Sequence, residues 1–221
     1  MAFPKVFTKQ LAAASSNSIA LSQSPGTASL TLNGAAVSGG VATIDAATAA
    51  NSAVGRRVII TSGGNDSGIN WTVVGTGPSG SAISDTFAGS NGGAAQSNLD
   101  FVTVSSITPS AAVATTAIAG TNGVGSSQWW PLNWDVTSVM NVGYAVEVVS
   151  GAVNFTIQHT YDDPNNLLGG SLFPLAFNSP VVAAATANAD GIYTGPIAAI
   201  RVLINSGAGE IRVRVLQSGI G

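Results

Sequence analysis

The 221-residue chain contains no cysteine, so neither disulfides nor thiolate-held metals shape it, and the compartment is left open. Charge is nearly as scarce: 8% of residues are Asp, Glu, Lys or Arg, against roughly a quarter in ordinary soluble proteins. A free monomer usually stays soluble through interspersed charge. Here Ser, Thr, Asn and Gly must cover the surface, or much of it is buried against other subunits, and a mixture of both suits a subunit of a large assembly. The net charge of -3 and the lack of a Lys/Arg cluster exclude the electrostatic footprint of a nucleic-acid binder. No segment approaches the ~18 uninterrupted apolar residues of a membrane helix. The N-terminus has Lys5 and Lys9 ahead of an Ala-rich run, but Ser15, Ser16, Asn17 and Ser18 interrupt it, so export is not expected.

What is present points to β-structure. There are 27 glycines and many Thr and Val runs, with few aliphatics at helical spacing. Candidate strands recur between turn residues: "ASLTLNG", "GVATIDA", "RRVIITS", "NWTVVGT", "AISDTFAG" and "LDFVTVSSI", then "NVGYAVEVV", "AVNFTIQHT", "IAAIRVLIN" and "EIRVRVLQS". Asn33-Gly34, Asn91-Gly92 and Asn122-Gly123 read as turn dipeptides. "DAATAAN" reads as a helical turn at most. The expected organisation is an N-terminal arm over 1–22, a β domain over 23–124 and a second β domain over 125–221. The boundary lies in the Gly- and Ser-rich stretch "GTNGVGSS", Gly120 to Ser127.

Two hairpins are expected in the second half. A turn at Ser150-Gly151 would set Val146 opposite Phe155, Tyr144 opposite Ile157 and Val142 opposite His159, gathering one apolar face. A loop at Ala208-Gly209 would set Ile204 against Val213 and Val202 against Val215, with Arg201, Arg212 and Arg214 on the opposite face beside Leu203 and Leu216. Those arginines form either a solvated strand face or a contact surface.

His159 is the only histidine, and Asp162 and Asp163 follow it, as a catalytic or metal site would require. The register instead puts it at the rim of an apolar face, bonded to a carboxylate of the turn that "DDPN" forms. A metal would need more ligands, and the chain has no G-x-S-x-G elbow or recognisable carboxylate pair for glycoside hydrolysis. "SGGNDSGIN" contains a single Gly-Asp element where a calcium β-helix needs tandem copies; it reads as a turn, with a lone calcium at Asp66 as the alternative. No phosphate-binding loop is present. The reading is therefore non-enzymatic, without catalytic residues, metal or cofactor.

"SSQWWPLNWDV" places Trp129, Trp130 and Trp134 together in a chain with four tryptophans. They either cap a core or present an interface, protein or sugar. The candidate interface residues are thus Trp129, Trp130, Trp134, Arg201, Arg212 and Arg214.

The landmarks "VNFTIQHTYDDP", "LAFNSP", "TANADGIYTGPIAAIRVLI" and "GAGEIRVRVLQSG", in that order over roughly Val142 to Gly219, resemble a family of small tailed-bacteriophage virion proteins. Phe177-Asn178 is followed by Ser179, where a histidine would be usual in that pattern. "VIITSGGNDSGINWTVVGT" is similar to the β domain often attached to them. The resemblance implies a structural virion protein whose C-terminal domain is a jelly-roll-like antiparallel sandwich, found in the virion after assembly in the host cytoplasm. The expected function is capsid decoration or cement. A tail, collar or fibre-attachment subunit and a carbohydrate-binding module for host glycans are the alternatives. Expected partners are the major capsid protein or other virion subunits and copies of the chain itself, a trimer suiting three-fold capsid positions; neither nucleic acid nor membrane is expected.

Overall fold

A computed structural model describes residues 5–44, 54–132, 141–166 and 173–217; "DAATAAN" and Trp134 lie outside them. Over these residues the chain is all-β and its strand pairings are antiparallel. In chain order the strands are β1 (Lys5–Leu11), β2 (Ser15–Gln23), β3 (Val37–Ser38), β4 (Val41–Thr43), β5 (Val54–Asn65), β6 (Asn70–Thr76), β7 (Ala82–Ala88) and β8 (Asn91–Phe101). They continue with β9 (Thr103–Pro109), β10 (Ala117–Ser127), β11 (Trp130–Pro131), β12 (Val142–Thr160), β13 (Phe177–Asn178), β14 (Ala189–Tyr193) and β15 (Ala199–Gln217). A 10-stranded sheet follows the path β13-β12-β15-β10-β5-β8, with β1 and β11 on β15, β14 on β12 and β2 on β10. A 5-stranded sheet has the order β3-β4-β9-β6-β7.

Alternation explains the packing of the small sheet. Trp71 and Val73 of β6, Phe87 of β7, and Val104 and Ile107 of β9 are buried in one cluster with Ile19, Val58, Ile60, Ala117 and Ala119 of the large sheet. Two sheets thus share a core, as stacked antiparallel sheets do. Within "SGGNDSGIN", Ser62, Gly63, Gly64 and Asn65 end β5 and Asn70 begins β6, so the expected turn is confined to residues 66–69, which carry the chain from one sheet to the other. Buried Asp66 ties that turn down, accepting bonds from the Ser62 hydroxyl and from the Ala114 N–H at 2.8 Å.

The expected hairpins are not what forms. Val142–Thr160 and Ala199–Gln217 are each one strand, paired with each other from Val142↔Gln217 to Thr160↔Ala199. The apolar pattern is satisfied differently. Buried Val142, Tyr144 and Val146 are even-numbered, whereas Val153, Phe155 and Ile157 are odd. A hairpin turn could reconcile them, and so can one extra residue in a continuous strand. The pairing steps from Val148↔Ile211 to Ser150↔Glu210, and from Asn154↔Ser206 to Phe155↔Ile204, which leaves Val149 and Asn205 as the extra residues. Each bulge returns the following side chains to the core. Gly151 and Gly207, with φ of 79° and 97°, sit in this stretch and supply backbone that other residues adopt only with strain. Both halves of both strands feed one cluster with Trp130, Val182 and Ile197, so the ribbon bends around its core.

Two further expectations are corrected. Residues 5–11 and 15–23 do not stand apart as an arm; they are β1 and β2 of the large sheet. Their alternation is weak because the strands are largely polar: in β2 only Ile19 and Ala20 are buried. The Gly- and Ser-rich stretch 120–127 is not a linker but most of β10, which pairs with β5, β2 and β15. Its glycines are there because neighbouring backbone lies too close for a side chain. A Cβ on Gly120 would stand 1.9 Å from the Ser15 carbonyl oxygen, and one on Gly125 equally near that of Gly55. Asn122-Gly123 falls at the register shift between Thr121 and Gly125, within this strand rather than at a hairpin tip. "ASLTLNG" is not a strand; the Leu30 N–H donates to the Ile107 carbonyl at 2.9 Å and the Asn33 N–H to that of Ile19 at 3.2 Å, while the Gln23 side chain bonds the Thr31 N–H at 2.8 Å and the Thr31 carbonyl at 2.9 Å.

The two clusters meet on the inner face of β5, where Val54 belongs to one and Val58 to the other. Arg56 lies between them, 1% exposed, and donates to the carbonyls of Gly123 and Ala12 at 3.0 Å each. Those main-chain acceptors keep a buried guanidinium satisfied.

Candidate interaction surfaces

Three places on the fold bear on function, beginning with the tryptophans. Trp130 faces the core: it is 4% exposed, and the Phe7 ring of β1 stacks on it at 4.2 Å with planes 5° apart. The Lys9 ammonium lies 5.5 Å from its ring centre. The reading of Trp130 as an interface residue is therefore corrected; it caps the core. Trp129 points the other way, half-buried, with the Arg201 guanidinium 4.5 Å from its ring centre.

Arg201 is the middle of a polar row that crosses the large sheet. Gln158 of β12 donates to Asn178 of β13 at 2.8 Å and accepts from Arg201 of β15 at 2.8 Å. Arg201 reaches Ser126 of β10 at 3.4 Å, Ser126 donates to Asp100 of β8 at 2.5 Å, and Asp100 pairs with Arg57 of β5 at 2.5 Å. Each of the six strands on the sheet path contributes one residue. Burial lowers the Arg201 pKa from its ordinary value, the Asp100 carboxylate opposing it and Arg57 adding to it. These groups satisfy one another, so the row reads as an internal clamp between strands rather than a free binding site.

Arg212 and Arg214 lie at the opposite end of β15 from Arg201, so the three arginines do not form one patch. Arg212 and Arg214 share Glu147 of β12, at 3.3 Å and 2.7 Å. The bond from Arg214 is the main cause holding the Glu147 pKa below its ordinary value. Beside this trio a shallow open depression of about 290 Å³ is lined by Ala145, Val146, Asn188, Ala189 and Asp190. Ile192, Leu216 and Val6 are about half exposed on the same outer face.

The third place is the rim around His159. The imidazole is 8% exposed, and its Nδ1 lies 3.1 Å from the Tyr193 hydroxyl, not against a turn carboxylate. Asp162 and Asp163 accept from the N–H groups of Leu175 and Asn165. The rings of Tyr193, Tyr161 and Phe177 enclose the imidazole at 4.9, 5.5 and 5.7 Å. Burial pulls the His159 pKa down and pushes that of Tyr193 well up. A hydroxyl so held can donate to an unprotonated ring nitrogen, and the pair is content as neutral groups. Tyr161 and Phe177 are 64% and 41% exposed, and the segment carrying exposed Phe173 and Leu175 is joined to this rim by the bond from the Leu175 N–H to Asp162. Sequence reading missed this patch, because no alternation distinguishes an exposed aromatic in an irregular segment from a buried one.

Among the described residues no group of three or more His, Asp or Glu side chains is arranged to hold a metal ion. Comparison of the chain with protein-family models, with curated proteins and with solved structures finds no match.

Proposed function

We propose that this is a structural protein of a tailed-bacteriophage virion that acts by binding other subunits, most simply a decoration or cement protein of the capsid. The observation that carries the reading is the rim of exposed Tyr161, Phe173, Leu175 and Phe177 on a chain with only 8% charged residues. Large aromatic side chains dominate the energetics of protein interfaces, and the Gln-His-Thr and Asp-Asp landmark of the virion resemblance lies at this rim. Contacts that are modest singly become strong when repeated on a symmetric shell. The jelly-roll topology expected of such proteins is part of the proposal, supported by a long bent ribbon that wraps one core.

The test is to add the protein to capsids lacking it and measure occupancy and heat resistance. Stable occupancy, reduced by Tyr161→Ser with Phe177→Ser, is expected; no binding and no stabilisation would end the cement reading. A tail or collar position is the second reading of the same fold, and copy number per particle separates the two. Binding of host glycans through the tryptophans is the weaker alternative, since Trp130 is buried and Trp129 lies beneath Arg201.

A further inference from the structure

One outer face of the large sheet has the composition of a self-association surface. It is formed where β14, β12, β15 and β1 lie side by side. The register sets Ile192, Gly143 and Leu216 in one row across the strands. The next row is Asp190, Ala145, Arg214 and Val6, and the third is Glu147, Arg212 and Thr8. The inner faces of the same strands carry Ala189, Tyr193, Val213 and Phe7 into the core, so these rows point outward. Gly143 and Ala145 make the middle low and flat, while Ile192, Leu216 and Val6 are 58%, 48% and 51% exposed around it.

Charge on this face is sorted by strand. The acids Asp190 and Glu147 stand on β14 and β12, and the bases Arg212 and Arg214 on β15. Glu210, 3.9 Å from Arg212, lies further along β15, next to the bend. Among the described residues Asp190 has no salt-bridge partner. We infer that this face pairs with the same face of a second copy, about a two-fold axis lying between the sheets and nearly parallel to the strands.

The sorting of charge selects the axis. Rotation about a line along the strands, between β12 and β15, exchanges the β14–β12 half with the β15–β1 half, which lays the acidic half of each copy, with Asp190 and Glu147, over the half of the other that carries Arg212 and Arg214. Rotation about a line across the strands would lay acid on acid and base on base, a costly juxtaposition. A two-fold contact must be self-complementary, and this surface is so in one orientation only. Aligned strands also suit the packing of one twisted sheet on another. Four strands span roughly 20 Å at ~4.8 Å spacing, a small interface, so the pair dissociates on dilution and weakens with salt. This pairing goes beyond the virion reading and replaces the three-fold association expected from capsid symmetry alone.

The experiment is sedimentation equilibrium of the full chain across micromolar to millimolar concentration, at low and high salt. A monomer–dimer equilibrium is expected, weakened about tenfold or more by Leu216→Asp or Ile192→Asp. Asp190→Arg and Arg214→Asp should each weaken it, and the two together should restore most of the lost association. Circular dichroism and thermal midpoints establish that each variant is folded; should one strand's variant not fold, the variant on the other strand and the charge exchange decide. A monomer at every concentration, a trimer, a dimer indifferent to these changes, or a double variant no better than the singles overturns the inference. Failure to bind capsids would leave these results untouched, so the two readings fall separately.

Discussion

Phe155 lies directly opposite Ile204, and the neighbouring pair in the ladder, Asn154 opposite Ser206, leaves one residue, Asn205, over between them. That surplus residue is what puts both Phe155 and Ile204 in the core. Asn205 is held by its amide, which donates to Asn154 at 2.7 Å and to Thr156 at 3.0 Å. Removing it should shift every side chain on one side of the bulge to the wrong face. Deletion of Asn205 is expected to abolish cooperative folding. Asn205→Ala, which keeps the count, should cost only about 1–2 kcal/mol in urea unfolding.

The glycines of the bend give a matched comparison. Gly151→Ala places a Cβ 2.2 Å from the Ala208 carbonyl oxygen at φ of 79°, whereas at Gly143 nothing lies nearer than 3.8 Å. The first substitution should destabilise by roughly 1–3 kcal/mol or more and the second by less than about 0.5 kcal/mol. Equal effects would show that Gly151 does not lie against the Ala208 carbonyl in this bend.

Arg201 over Trp129 should be legible in tryptophan emission. Arg201→Ala removes the ring contact and the bonds to Gln158 and Ser126. It is expected to shift emission to longer wavelength and to cost about 2–3 kcal/mol; Arg201→Lys should recover only part, since it lacks the planar fork.

His159 sets the response to mild acid. Its pKa is lowered by burial, so the unfolded chain binds a proton at higher pH than the folded one. The stabilisation is complete above the unfolded value of about 6.5 and declines as pH falls below it. Urea midpoints should therefore drop between pH 7 and 5, and His159→Gln should flatten that slope. Glu147, held low by Arg214, loses its contribution only as pH falls through the acidic range below its ordinary value, outside this window. An unchanged slope in His159→Gln would assign the effect elsewhere.

The exposed rim should separate stability from binding. Tyr161→Ser and Phe177→Ser remove side chains 64% and 41% exposed, so thermal midpoints should move little while capsid occupancy falls. Loss of folding would instead make the rim part of the core.

Alternation and turn chemistry were enough to determine, from sequence alone, that the chain is all-β, which residues of β12 and β15 face inward, and that Arg201, Arg212 and Arg214 face outward. These properties depend on side-chain period, which is local. A change of period parity, however, is produced equally by a turn and by a bulge, so only the tertiary pairing decided that Ser150-Gly151 and Ala208-Gly209 lie within strands. Likewise a run of Gly and Ser reads as a linker until neighbouring backbones are seen to press on it, as Ser15 and Gly55 press on Gly120 and Gly125. The candidate surfaces divide the same way. Sequence could gather tryptophans and arginines as candidates; contact between distant strands decided that Trp130 is buried by Phe7, that Arg201 belongs to a row across the sheet, and that Arg212 and Arg214 share a face with Asp190, Ile192 and Val6.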